Sequence, residues 1–209
     1  MTFASRHEAG EALGRHLTSI GIHSEVVLGL PRGGVVVAEG VAQALRCPLD
    51  VLVVRKIGHP RFREFAVGAL AEASIVVLDD DALKRSHIKP VDLEEVIEEE
   101  SFRLADYLRK FTTRPRATIP GKRVLVVDDG LATGATTEAA VRSAKQQGAA
   151  KVLLAVPVAS ESGFQRLTRV CDQVIALEID PGFEAVGHYY RSFSQTTDDE
   201  VMAILASQS

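Results

Sequence analysis

The chain has 209 residues, 46% of them hydrophobic and 25% charged, with a formal net charge of −4. That length buries a sizeable core without staples, and the acidic balance disfavours non-specific nucleic-acid binding while leaving room for a local cationic pocket. Cys47 and Cys171 lie far apart with no C-x-x-C spacing, so both read as reduced, packed thiols rather than as a zinc site or a disulfide framework.

The N-terminus is charged within its first turn and lacks an apolar run of signal-peptide length. The longest apolar stretches, such as VLLAVPVA at 152–159, are under half of a membrane span. The expectation is a cytoplasmic protein without a membrane partner. Ser5 and Glu8 form a capping box that opens a helix carrying Ala9, Ala12, Leu13 and Leu17 on one face. EVVLGL at 25–30 is too short for a helix and reads as a buried strand; PRGG interrupts it, and VVVAEGVAQAL at 35–45 reads as a helix. DVLVVR at 50–55 reads as a second strand, followed by the polar stretch KIGHPRFREF. AVGAL and SIVVLDD read as short strands that pair as a hairpin through 71–73.

From Val91 to Phe111, apolar residues recur at helical spacing, and the EEVIEEE patch within reads as a solvated acidic face. The stretch 112–122 is the most linker-like. Beyond it come strand RVLVVDD, helix TTEAAVRSAKQQ, strand KVLLAVPVA, helix SGFQRLTRV and strand QVIALEI, then a last helix over 198–205 behind a Thr197/Glu200 capping box. Apolar strands alternating with helices predict the α/β class, a parallel central sheet flanked by helices. Ligands bind such sheets beyond the carboxyl ends of the strands.

Two stretches fall there and look unlike ordinary connectors. In VLVVDDGLATGATT, at 124–137, Asp128 and Asp129 point to opposite faces while the strand stays regular. At the strand's end, with Gly130 next, both carboxylates turn to one partner, and neighbouring hydroxyls such as a ribose's suit them. The small-residue loop then exposes backbone N–H donors, with Thr133, Thr136 and Thr137 adding hydroxyls: the layout of a phosphate cradle. The helix terminus offers an anion about 0.3–1 kcal/mol, against about 1.5–3 kcal/mol per charge-assisted hydrogen bond, so loop geometry dominates. The bland alternative is a turn and a helix start. Neither a Walker loop nor a G-x-G-x-x-G after the first strand is present. In GLPRGG, at 29–34, Gly33 and Gly34 let the backbone approach an anion and Arg32 brings a fixed charge.

VLVVDDGLATGATT resembles the phosphoribosyl-pyrophosphate (PRPP) signature of type I phosphoribosyltransferases. The resemblance implies that Asp128 and Asp129 contact the ribose, and help to hold Mg²⁺ directly or through water. It gives the 5′-phosphate to Ala132, Thr133, Gly134, Ala135, Thr136 and Thr137. GLPRGG resembles the family's pyrophosphate loop: Pro31, Arg32, Gly33 and Gly34, with a cis Pro31–Arg32 bond. VVRKIGHPRFREF, at 53–65, resembles the adenine-type V-R-K-x-G-x-x-P pattern, which brings Arg55 and Lys56 to pyrophosphate beneath a closing lid. The Ser-Tyr pair of many lids is absent, and His59 is equally a polar loop residue.

The C-terminal stretch 182–201 resembles the end of a poorly characterised branch of the family. There, segments 1–20 and 181–209 form a hood over a core of about 20–180 within one domain spanning 1–209. Acceptor stacking falls to Phe183, Tyr189 or Tyr190, unless these only pack the hood. Ala132 stands where many 6-oxopurine enzymes carry aspartate. The implied activity is Mg²⁺-dependent transfer of ribose 5-phosphate from PRPP to a nitrogen acceptor, a nucleobase foremost. Arg32, Lys56 and the acidic pair carry that chemistry in a homodimer. The alternative is a PRPP- or nucleotide-sensing module, or one that binds RNA through Arg114, Arg116, Lys122 and Arg123.

Overall fold

The computed structural model describes residues 1–112 and 115–207. Its elements in chain order are α1 (Arg6–Ser19), β1 (Val26–Gly29), α2 (Gly33–Leu45), β2 (Leu49–Val51), β3 (Val54–Gly58), β4 (Ala66–Ala71), β5 (Ile75–Leu78) and α3 (Asp80–Ser86). A 3₁₀ turn (Pro90–Leu93) leads into α4 (Glu94–Phe111), followed by β6 (Arg123–Val127), α5 (Ala135–Gln146), β7 (Lys151–Ser160), α6 (Glu161–Thr168), β8 (Gln173–Asp180) and α7 (Asp198–Ala206).

The central sheet has the order β2-β1-β6-β7-β8, and every pairing in it is parallel. Its strands are apolar at nearly every position because both faces are covered. Val27, Leu125, Val127, Leu153 and Ala155 join one core with Leu13 and Leu17 of α1 and Val37 and Val41 of α2. The alternate residues Val26, Leu28, Val124, Val126, Val152 and Leu154 join a second core with Ala140 and Val141 of α5 and Leu167 of α6. Full burial of each such side chain stabilises by about 1.5–3 kcal/mol, so this two-sided packing holds the sheet that presents the site. No helix among the described residues is long and apolar enough to cross a membrane.

DVLVVR is not one strand. Leu49–Val51 pairs with β1 in the parallel sheet, while Val54–Gly58 pairs antiparallel with β4 in a separate sheet of order β3-β4-β5. The crossover is held by side chains from elsewhere: the Val53 amide donates to Glu72 Oε1 at 2.7 Å, and Arg116 Nη2 donates to the Val51 carbonyl at 2.5 Å. The small sheet is itself sandwiched, with Ile57 and Leu70 packed in the core that Leu93 and Val96 share, and Ala69, Ala71 and Val77 against Ala139 of α5. The predicted β4–β5 hairpin is present, with Ala73 and Ser74 both at positive φ in its turn. At the N-terminus Ser5 Oγ accepts from the Glu8 amide at 3.4 Å, but the Glu8 carboxylate accepts from Ala4, not Ser5.

Candidate active site

β1 ends at Gly29 and β6 at Val127, and these two residues are partners across the ladder. The Leu30 amide donates to the Val127 carbonyl at 3.0 Å. Residues 30–34 and 128–134 therefore leave the same sheet edge side by side. Between them lies a cavity of about 320 Å³ lined by Pro31, Arg32, Gly33, Lys56, Asp128, Asp129 and the loop 132–137, with Val186 at its rim.

Past the strand's end both aspartates line that cavity. Asp128 Oδ1 accepts from the Asp129 amide at 2.9 Å and Oδ2 from Thr137 Oγ1 at 3.4 Å. Asp129 Oδ2 accepts from Arg6 Nε at 2.7 Å, and the Tyr190 hydroxyl donates to the Asp129 carbonyl at 2.6 Å. Burial first, and then the neighbouring charge of Asp129, push the Asp128 carboxyl well above the usual carboxylate range. They outweigh the Asp129 amide, the Thr137 hydroxyl and the Lys56 ammonium, which favour its charged form.

The glycines of the first loop answer to this pair. A Cβ on Gly33 would stand 2.1 Å from Asp129 Oδ2, and one on Gly34 2.9 Å from Asp128 Cα. Close approach to the acids, as much as to any anion, requires glycine at both positions. The Pro31–Arg32 peptide is cis. Arg32 borders the cavity, with Nη1 3.6 Å from Asp198 Oδ1 of α7.

The second loop ends in the N-terminus of α5. Gly134, its N-cap, has φ 79°, and no side chain caps the helix. The first-turn amides thus have no partner within the helix, a ready site for an anion. β7 fixes the loop: the Leu131 amide donates to the Val158 carbonyl at 2.9 Å, and Ser160 Oγ donates to the Ala132 carbonyl at 2.6 Å. Thr133 is exposed, whereas Thr137 is buried, with its hydroxyl turned to Asp128.

A larger cavity, about 580 Å³, shares Pro31, Arg32, Val54, Lys56 and Thr136 with the first and continues beneath the β3–β4 hairpin to α4. Strand alternation separates Arg55 from Lys56, both expected at pyrophosphate together with Arg32. Lys56 lines both cavities, whereas Arg55 lines only the larger. Its Nε donates to Glu100 Oε2 at 2.8 Å, and its guanidinium lies 5.0 Å from the Tyr107 ring centroid. Glu100 is therefore a correction to the solvated acidic face: it is buried between Arg55 and Arg103, although Glu94, Glu95 and Glu98 are exposed.

His59 borders neither cavity. Its Nδ1 accepts from the Arg61 and Phe62 amides at 2.9 and 3.2 Å, which makes it a turn-forming residue. Tyr189 and Tyr190 are 7% and 5% exposed and pack with Phe3, Ala9 and Val158, and Phe183 stacks on Tyr189. None of the three aromatics lines either cavity, and Val186 is what this segment presents there, against Gly130. Of the expected basic face, Arg116 turns inward to Asp50 and Glu72, and Arg114 lies outside the described residues. Arg6 was not anticipated, yet it carried a signal, since a cation in a helix's first turn opposes the dipole and asks for a tertiary anion. Both thiols are partly buried, and burial pushes them up, Cys47 to about 11 and Cys171 to about 12.

A parallel α/β sheet whose rim sets a glycine loop, an acidic pair and an open helix N-terminus around one cavity is the frame on which the comparisons converge. The profile of the phosphoribosyl transferase domain matches residues 4–191, and the chain belongs to this family. It is 43% identical, over 204 residues and 97% of its length, to a Mycobacterium tuberculosis (strain ATCC 25618 / H37Rv) protein named "Putative phosphoribosyl transferase Rv0571c", and it spans about half (46%) of that relative. The crystal structure of TT1426 from Thermus thermophilus superposes with a TM-score of 0.78 at 43% identity, covering 100% of this chain and 99% of the other. Adenine phosphoribosyltransferase from Aeromonas salmonicida (strain A449) is 35% identical over 91 residues, 43% of this chain and 50% of that protein.

Proposed function

We infer that the chain transfers the ribose 5-phosphate group of PRPP to a nitrogen acceptor, a nucleobase foremost, with release of pyrophosphate. The observation that carries this is the convergence of the two rim loops on one cavity with the acidic pair between them. The 5′-phosphate docks on the loop amides 132–136, where the uncapped N-terminus of α5 supplies donors. The ribose hydroxyls donate to Asp128 and to Asp129 Oδ1. The pyrophosphate lies along the loop 31–34 and toward Lys56, which borders both cavities.

In the reaction the bond from ribose C1 to the pyrophosphate oxygen breaks, and its electron pair leaves with pyrophosphate. The acceptor nitrogen bonds to C1, and the proton it held passes to solvent. Fixed donors and the Lys56 ammonium stabilise the growing charge of the leaving group. The residues present fit Mg²⁺: among the described residues no group of three candidate ligands forms, but Asp128 and Asp129 offer carboxylate oxygens to an ion that retains waters. When bound, Mg²⁺ neutralises charge on the diphosphate. The acceptor's nucleobase character is supported by the named activity of the Aeromonas relative.

The test is incubation with PRPP and Mg²⁺ against a panel of nucleobases and simple amines, read as pyrophosphate. Acceptor-dependent release is expected. PRPP binding without release for any acceptor would favour a sensing module, and absence of PRPP binding would overturn the donor assignment.

A further inference from the structure

Arg6 stands at the first position of α1, and its guanidinium is enclosed by three distant segments. Nε donates to Asp129 Oδ2 at 2.7 Å and Nη1 to the Ser194 carbonyl at 2.8 Å. Its Cζ lies 3.8 Å from the centroid of the Phe193 ring, which Tyr190 stacks against in turn. The glycine loop passes so close that a Cβ on Gly33 would stand 2.6 Å from Arg6 Nε. The side chain is only 11% exposed.

A donor that carries phosphate and pyrophosphate meets two adjacent carboxylates, whose charge opposes its arrival. Arg6 offsets the charge on Asp129 and occupies Oδ2. No donor among the described residues meets Oδ1, which is left for the sugar. We propose that Arg6 is a positioning residue for donor binding, neutralising and orienting Asp129 so that an anionic sugar phosphate docks against the acidic pair. The proposal rests on the PRPP reading above. It also requires arginine rather than any cation: the fork reaches Asp129 and Ser194 together while its Cζ lies over the Phe193 ring, which a lysine ammonium cannot reproduce.

Calorimetric titration of PRPP with Mg²⁺ into the wild type, Arg6→Gln and Arg6→Lys, each paired with thermal unfolding and measured well below its melting temperature, tests this. Arg6→Gln is expected to weaken PRPP about tenfold or more, the scale of one charge-assisted hydrogen bond, and Arg6→Lys to recover part of the loss. A purely structural Arg6 would lower the melting temperature of Arg6→Gln and leave the affinity of the folded protein intact, which would overturn the proposal. Should Arg6→Gln not fold, Arg6→Lys alone decides, since affinity equal to wild type would also overturn it. A wild type that binds no PRPP would instead remove the donor reading itself.

Discussion

Two clusters in this molecule use the same ingredients, two carboxylates and one arginine, for different ends. Asp50, Glu72 and Arg116 join β2, the β4–β5 turn and the segment before β6, whereas Asp128, Asp129 and Arg6 meet at the rim of the central sheet. In the first cluster every carboxylate oxygen has a donor. The Val51 and Ala117 amides bond Asp50 at 2.8 and 2.7 Å, the Val53 amide bonds Glu72 Oε1 at 2.7 Å, and Arg116 bonds Glu72 Oε2 at 2.5 Å. In the second, Asp129 Oδ1 meets no donor among the described residues, and Asp128 Oδ2 has only a long 3.4 Å contact to Thr137. Carboxylates whose oxygens are all met by donors of their own chain hold that chain in place. Those left partly unfilled beside a cavity are available to something that arrives.

The sharpest way to break this contrast is to remove the arginine of the satisfied cluster. Asp50 and Glu72 side chains are each 6% exposed, so Arg116→Met leaves two buried charges without their cation. Removing one partner of such a buried set costs about 3–5 kcal/mol, and the turn between the two sheets loses its bond to the Val51 carbonyl as well. Urea unfolding should show that loss. A loss below about 1 kcal/mol, the range of exposed pairs, would mean that the cluster is no more structural than the rim.

At the rim, the corresponding perturbation is steric. Gly33→Ala places a methyl group 2.1 Å from Asp129 Oδ2 and 2.6 Å from Arg6 Nε. Overpacking of this kind costs about 1–3 kcal/mol, and the loop is expected to move away from the acidic pair. Far-UV circular dichroism should stay that of the wild type while PRPP affinity, by calorimetry, falls about tenfold or more, as for a lost charge-assisted hydrogen bond. Unchanged affinity would show that the loop and the acids do not act as one site.

The contrast also explains what was legible in the sequence. The parallel sheet was readable because burial on both faces writes itself as uninterrupted valine and leucine runs. The two rim loops were readable because glycines and paired acids at strand ends break those runs. The split of DVLVVR into two sheets was not, since nothing in that run of apolar residues encodes the change. It is imposed by Glu72 and Arg116, remote in the chain and unremarkable where they stand. Glu100 was hidden for a similar reason: its charge looks like that of its solvated neighbours until Arg55 and Arg103 close on it. Arg6 was legible only as a misplaced charge. Tyr189 and Tyr190 were ambiguous as a pair of aromatics; the structure packs both rings in one buried cluster and sets the Tyr190 hydroxyl on the Asp129 carbonyl.

The smallest expected effect sharpens the comparison through pH. Burial, and then the charge of Asp129, raise the Asp128 carboxyl in the folded protein, while in the unfolded chain it titrates near the ordinary value of about 3.9. The folded state therefore binds this proton more tightly. The stabilisation from that preference is complete below the unfolded value and is lost as pH rises through the raised folded value. Asp128→Asn removes the titration while its side-chain oxygen can still accept from the Asp129 amide. The variant should melt like the wild type in acid and above it at pH 8, by about 2–4 °C, the shift that ~1 kcal/mol gives a chain of this size. Melting curves across pH without divalent cations decide the matter. A variant that is less stable than the wild type at pH 8 would mean that Asp128 is held as firmly as Asp50, and that the rim stores no charge for a ligand to relieve.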